Sequence, residues 1–240
     1  MCIIAIKKSG LKMFDKEQLA IMFANNPDGA GFMFYDAKLK KVVIKKGFMT
    51  LKSLLKALSD RDYTNTNVIL HFRIGTSGQF NKLNCHPYPI YQKNRLECVT
   101  NLAMAHNGIL RGYIPPENSD INDTQVFVQN VLKWLKKGFI YDADKMNLIG
   151  EIIGSNKLAF LDNKNEIRLV GEFIEDNGYI YSNSSYKQYK RTKCAYKPKK
   201  VVADAHASAS SQYSKMVDIW GEPNEENNDF WRWFDNKFIF

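Results

Sequence analysis

Residues 157–183, KLAFLDNKNEIRLVGEFIEDNGYIYSN, decide the fold. KLAFLD, EIRLVG and YIYSN are short runs of Leu, Ile, Val, Phe and Tyr, separated by Asn, Asp, Gly and Lys. Runs of that length between turn residues read as successive antiparallel strands. Ahead of them the pattern changes. Residues 122–137 have helical spacing, with Val126, Phe127, Val131, Trp134 and Leu135 on one face. Asn122 is placed to cap that helix, Gln125 stands at the capping-box position, and Gly138 is placed to end it. Residues 142–153 predict a second helix beside the first. Strands grouped around paired helices favour a layered α+β fold with antiparallel sheets, not a doubly wound parallel sheet.

The amino-terminal half has the same grouping. CIIAIK, from Cys2, predicts a short buried strand. Residues 15–25 predict a helix with Leu19, Ile21, Met22 and Phe23 on its apolar side. NNPDGAGFMFYD is a turn followed by a Gly-rich strand. KKVVIKKG and NVILHFRIG are strands. Between them Thr50 is placed to cap a helix running to Leu58, whose Leu51, Leu54, Leu55 and Leu58 recur at spacings of three and four. LECVTNLAMAHNGIL adds one or two strands with an Asn-Gly turn at residues 107 and 108.

At 240 residues the chain is long enough to bury a sizeable core. No run of ~18 apolar residues is present, and the first residues put an apolar run where a signal peptide has its charges. An intracellular, cytoplasmic protein is expected. The four cysteines, Cys2, Cys85, Cys98 and Cys194, are widely spaced without a C-x-x-C pair, which disfavours zinc and predicts free thiols. The net charge of +9 is concentrated: residues 187–200 hold seven Lys and Arg and no acid. Such a run reads first as a solvated stretch. Contact with nucleic acid has no further motif behind it and is not expected. Residues 216–240 are instead acidic and aromatic, with three of the four tryptophans.

Four short stretches carry chemistry. Removal of Met1 would leave Cys2 with its thiol and α-amine on one residue. The amine, with a pKa near ~7.7–8.0, can take the thiol proton without a histidine. In HFRIGTSG, Arg73 leaves a buried strand for a small-residue loop, where it suits a bidentate carboxylate or a structural ion pair. In AHNGIL, Asn107 and Gly108 form either a tight hairpin or an oxyanion hole made from a side-chain amide and a backbone N–H. In NDTQ, Asp123 either stabilises a helix N-terminus or binds an amine.

Taken in order, Cys2, HFRIGTSG, CHPYPI, AHNGIL and NDTQ resemble the glutaminase domain of class II glutamine amidotransferases, over about residues 2–185. The resemblance implies the four-layer αββα sandwich of N-terminal-nucleophile hydrolases. It makes Cys2 the nucleophile and its amine the general base. Arg73 would hold the glutamine α-carboxylate, with Thr76 and His86 binding substrate in the same pocket. Asn107 and Gly108 would form the oxyanion hole, and Asp123 would bind the α-amino group. No metal or organic cofactor is implied. Gly75 stands where the family usually has Ala, and Asn122 where it usually has Ser; neither change removes a charged or catalytic group.

The expected organisation is a glutamine amidotransferase domain over residues 1–185, a basic linker over 186–215 and an acidic aromatic segment over 216–240. With so few residues left for a synthase, ammonia is expected to pass to a separate acceptor enzyme. Two rivals keep the same fold: an amidohydrolase of γ-glutamyl compounds, which share the free amino-acid end, and a non-enzymatic binding module.

Overall fold

The computed structural model of the chain describes residues 2–75, 81–117 and 119–187. Eleven strands and four α-helices are present among them. In chain order they are β1 (Ile3–Lys7), α1 (Lys16–Asn25), β2 (Ala30–Asp36), β3 (Lys41–Phe48), α2 (Leu51–Ser59), β4 (Val68–Phe72), β5 (Tyr88–Pro89), β6 (Glu97–Thr100) and β7 (Leu102–Asn107). There follow α3 (Asp123–Asn130), α4 (Ala143–Ile153), β8 (Lys157–Asp162), β9 (Ile167–Val170), β10 (Ile174–Asp176) and β11 (Tyr179–Tyr181).

The strands form two sheets, ordered β10-β11-β1-β4-β2-β3-β6 and β5-β7-β8-β9. All pairings are antiparallel. Side-chain alternation along the strands builds the layers. Ile3 and Ala5 of β1 pack with Leu19 and Phe23 of α1 and Leu54 of α2. Ile4 and Ile6 point the other way, into an apolar layer shared with Ala103 and Ala105 of β7 and Ala159 and Leu161 of β8. On the far side of the second sheet, Leu102, Met104, Leu158 and Phe160 pack with Phe127 of α3 and Ile149 and Ile153 of α4. The order is therefore helices, sheet, sheet, helices, the αββα sandwich that the motif order implies. Small residues at 103, 105 and 159 let the sheets pack face to face.

All four helices open on a side-chain cap. Asp15, Thr50, Asn122 and Asp142 accept from the backbone N–H of Gln18, Ser53, Gln125 and Lys145 respectively. Such caps each contribute about 1 kcal/mol.

Three expectations need correction. The helix from 122 does not run to 137. It breaks at Val131 (φ −122°, ψ −68°) and continues as a 3-10 turn over Leu132–Trp134. The break turns Leu132 into the core and leaves Trp134 78% exposed, so Trp134 is not on the buried face. Gln125 does not complete a capping box; its side-chain amide donates to Asn84 Oδ1 and accepts from Asn94. Asn107-Gly108 is not the turn of a β-hairpin: β7 ends there and the chain enters a 3-10 turn at Arg111–Tyr113. Cys2, Cys85 and Cys98 are free thiols. Thr76, Cys194 and the chain beyond Lys187 lie outside the described residues.

Candidate active site

Strand register brings the distant motifs together. The pairing of β1 with β4 sets Ile3 opposite Phe72, so Cys2 falls beside Arg73 just past the end of the ladder. The Cys2 thiol sits on the next peptide: Sγ accepts from Ile74 N (3.3 Å) and donates to Ile74 O (3.4 Å). Burial pushes this thiol above its ordinary pKa, against opposing contributions from the Ile74 backbone and Arg73. At rest it is a thiol, and it needs a base to become a nucleophile.

The NPDGAGF stretch supports this edge. Arg73 N donates to Gly29 O (2.8 Å), and Gly75 N donates to the Asp28 carboxylate (2.8 Å). Gly31 of β2 lies so close to the following segment that a Cβ there would stand 2.2 Å from His86 O. Only glycine permits that approach, and it sets His86 into the site.

Cys2, Arg73, Ile74, His86, His106, Gly108, Asn122, Asp123 and Thr124 line one small cleft. Arg73 and Asp123 are the only charged side chains among them, and both are buried. Asp123 is held at the head of α3: its carboxylate accepts from Leu110 N (2.7 Å) and Thr124 N (2.8 Å). Gly108 has φ +141°, a conformation closed to other residues without strain, and a Cβ there would fall 1.8 Å from Asn156 Oδ1.

Asn107 is different. It is buried, but it does not line the cleft. Its amide Nδ2 donates to Ser182 Oγ (2.8 Å), which leaves one N–H of the amide for another acceptor. Thr76, expected in the same pocket, lies outside the described residues.

Residues that the sequence did not single out complete the site. Thr124 Oγ1 lies 2.8 Å from His106 Nδ1 and 3.2 Å from His86 Nε2. His106 Nε2 lies 3.1 Å from Asn156 Oδ1, and His71 Nε2 contacts His106 O across the two sheets (3.0 Å). Burial lowers the pKa of all three histidines, to about 3 for His71. They are neutral and poor bases at pH 7. Each of His106, Thr124, Asn156 and Ser182 stands inside or beside a motif already in view. Their side chains meet only across loops and sheets, which sequence spacing does not reveal.

A larger cleft, about 960 Å³, opens along another face of α3, lined in part by Tyr88, Ile90, Gln125 and Gln129. No thiol lines it among the described residues. Among the described residues no group of three or more His, Cys, Asp or Glu is placed to hold a metal ion, and no helix is long and apolar enough to cross a membrane.

A sequence model of the family described as glutamine amidotransferases class-II matches residues 15–149, more than half of the chain. The chain belongs to the class-II glutamine amidotransferases. No curated protein matches it in sequence. The match spans Arg73, His86, Asn107, Gly108 and Asp123 and begins after Cys2. The amidotransferase fold, two antiparallel sheets between helices, agrees with that membership. An enzyme of this family, working on glutamine, is the activity that follows.

Proposed function

We propose that this amidotransferase hydrolyses the side-chain amide of glutamine through a thioester on Cys2 and supplies the ammonia to an acceptor enzyme on a separate chain. The observation that carries the proposal is the Cys2 thiol on the Ile74 backbone, in a cleft where Arg73 and Asp123 are the charged lining groups among the described residues. One cation and one anion suit the α-carboxylate and α-ammonium of a free amino acid and leave its amide to face the thiol.

In this mechanism Met1 is removed and the freed α-amine of Cys2 takes the thiol proton. The neutral histidines of the cleft are weaker bases than such an amine. The thiolate forms a bond to the amide carbon. Negative charge moves to the carbonyl oxygen, where the Gly108 N–H and the Asn107 amide are the proposed donors. The C–N bond breaks, and the departing nitrogen takes the proton from the α-ammonium and leaves as ammonia. Water then attacks the thioester, the amine again takes the proton, and glutamate leaves as the thiol is restored. His86 and Thr76 are proposed to line the substrate pocket.

The proposed domain runs to about residue 185, followed by a basic linker to 215 and an acidic aromatic segment from 216. Ammonia in bulk water at pH 7 is mostly protonated and unreactive, which favours delivery to an acceptor at close range.

The test is ammonia release from glutamine by the purified protein, with intact mass to establish loss of Met1. Cys2→Ala is expected to abolish release and keep the fold. A diazoketone analogue of glutamine is expected to label Cys2 and spare Cys85, Cys98 and Cys194. Full activity in Cys2→Ala, or labelling at another cysteine, rejects the assignment. Comparison of glutamine with γ-glutamyl peptides as substrates separates the amidotransferase from a γ-glutamyl hydrolase.

A further inference from the structure

Two consecutive residues after β11 hold the strand that carries Cys2, and the first of them also holds Asn107. Ser182 is 1% exposed. Its backbone N–H donates to Ile4 O (3.0 Å), continuing the ladder in which Ala5 pairs with Tyr181. The return bond, however, goes to the side chain: Ile4 N donates to Ser182 Oγ (2.8 Å). The same oxygen accepts from Asn107 Nδ2 (2.8 Å). Next along the chain, Asn183 Nδ2 donates to the carbonyl of Cys2 itself (2.7 Å). Ile4 belongs to the seven-stranded sheet and Asn107 to the four-stranded one, so Ser182 joins the two sheets at the end where the thiol lies.

A hydroxyl is needed for this. Ser182 Oγ uses both acceptor positions, one for each strand. Alanine would strand two buried N–H groups, Ile4 N and one hydrogen of Asn107 Nδ2. With that hydrogen fixed on Ser182, the amide plane is set and the other Nδ2 hydrogen has one direction. The distance between nucleophile and oxyanion donor then depends on one side chain bonded to both strands.

We propose that Ser182, assisted by Asn183, is a positioning residue that holds the Asn107 amide at a fixed place relative to Cys2. The proposal rests on the glutaminase assignment for its kinetic consequence, but the contact itself does not. Ser182 takes no proton and touches no substrate. It acts through Asn107, and misplacement of a catalytic group by about 1 Å can cost ~10²-fold in rate.

The test compares Ser182→Ala, Asn107→Ala and the double variant in the full-length protein. Ser182→Ala is expected to lower kcat by about 10- to 10²-fold, with the KM for glutamine little changed. The double variant is expected to be no slower than Asn107→Ala alone, because the two substitutions remove one unit. Multiplying losses, or a raised KM at unchanged kcat, would overturn the proposal. Ser182→Thr, which keeps the hydroxyl, is expected to restore most of kcat. If Ser182→Ala does not fold, Ser182→Cys, with a weak acceptor in place of a strong one, enters the same cycle.

A second readout does not depend on activity. The side-chain amide signal of Asn107 in 15N-labelled protein is identified by its loss in Asn107→Ala. Its hydrogens are expected to exchange slowly in the parent protein and at least about tenfold faster in Ser182→Ala, because a buried bond has been lost. Unchanged exchange overturns the positioning role. Faster exchange in a protein that releases no ammonia from glutamine upholds the contact and rejects the glutaminase assignment instead.

Discussion

Thr124 Oγ1 lies 2.8 Å from His106 Nδ1 and 3.4 Å from Asp123 Oδ1, and the Asn156 amide selects His106 as the acceptor of the hydroxyl proton. Asn156 Nδ2 donates to Ile153 O, which turns Asn156 Oδ1 toward His106 Nε2 as an acceptor. A neutral His106 therefore donates from Nε2 and accepts at Nδ1. The Thr124 hydroxyl supplies that proton, so Oγ1 is left to accept from His86 Nε2 at 3.2 Å. The chain His86 to Thr124 to His106 to Asn156 is directed throughout, and its first three members line the cleft.

Thr124→Val tests that chain. Valine keeps the shape and leaves His86 Nε2 and His106 Nδ1 buried without their partner. Each lost partner costs about 1–3 kcal/mol, so the urea midpoint is expected to fall clearly, while Thr124→Ser stays close to the parent. A Thr124→Val protein as stable as the parent would mean that the hydroxyl is not the link.

Stability should depend on pH through the same histidines. Unfolded histidine titrates near ~6.5. In the fold, burial lowers His71 to about 3 and lowers His86 and His106 as well. Below pH ~6.5 the unfolded chain therefore binds more protons than the folded one. The stabilisation is complete above ~6.5 and is lost as pH falls toward the folded values, at up to about 1.4 kcal/mol per pH unit per histidine. Urea midpoints at pH 7, 6 and 5 are expected to fall in that order. A flat profile would contradict neutral buried imidazoles.

Much of this arrangement was legible in the sequence, and the reasons differ by element. β1 was readable because its first four residues, Ile3 to Ile6, are an unbroken apolar run and all are buried. α2 was readable because Thr50 caps it and Leu51, Leu54 and Leu58 recur on its buried face. α3 was overextended. Val131 and Trp134 fit a helical period, but local propensity does not show that the chain turns at Val131 to bury Leu132. β10 was missed, since IED has only three residues and two of them are exposed. Cys2, Arg73 and Asp123, proposed as site residues from family order, line one cleft. Ser182 was passed over because its partners Ile4 and Asn107 lie 178 and 75 residues away in the chain.

The proposed roles of Arg73 and Asp123 differ from that of Asn107 in kinetics. Arg73→Lys and Asp123→Asn change groups that grip the non-reacting end of glutamine, so the KM is expected to rise with kcat less affected. Asn107→Ala removes a donor to the developing oxyanion and is expected to lower kcat by roughly 10²–10³-fold. Steady-state kinetics on the three variants checks this, and the opposite split would reverse the assignments.

Gly108 and Gly138 separate local strain from loss of the site. Both have positive φ, +141° and +88°. A Cβ on Gly138 meets nothing within 4 Å, so Gly138→Ala carries only the backbone cost, about 1–2 kcal/mol. A Cβ on Gly108 would stand 1.8 Å from Asn156 Oδ1, the atom that accepts from His106. Asn156 would have to move, and the directed chain through His106 and Thr124 would lose its end. The Gly108 N–H, a proposed oxyanion donor, would shift with it. Overpacking and strain together are expected to cost about 2–4 kcal/mol. Gly108→Ala is therefore expected to lose both stability and ammonia release, whereas Gly138→Ala loses a little stability and keeps its turnover. Thermal unfolding and glutaminase assays on the pair decide it. A Gly108→Ala protein with parental turnover would show that neither the N–H nor the Asn156 contact matters to the chemistry.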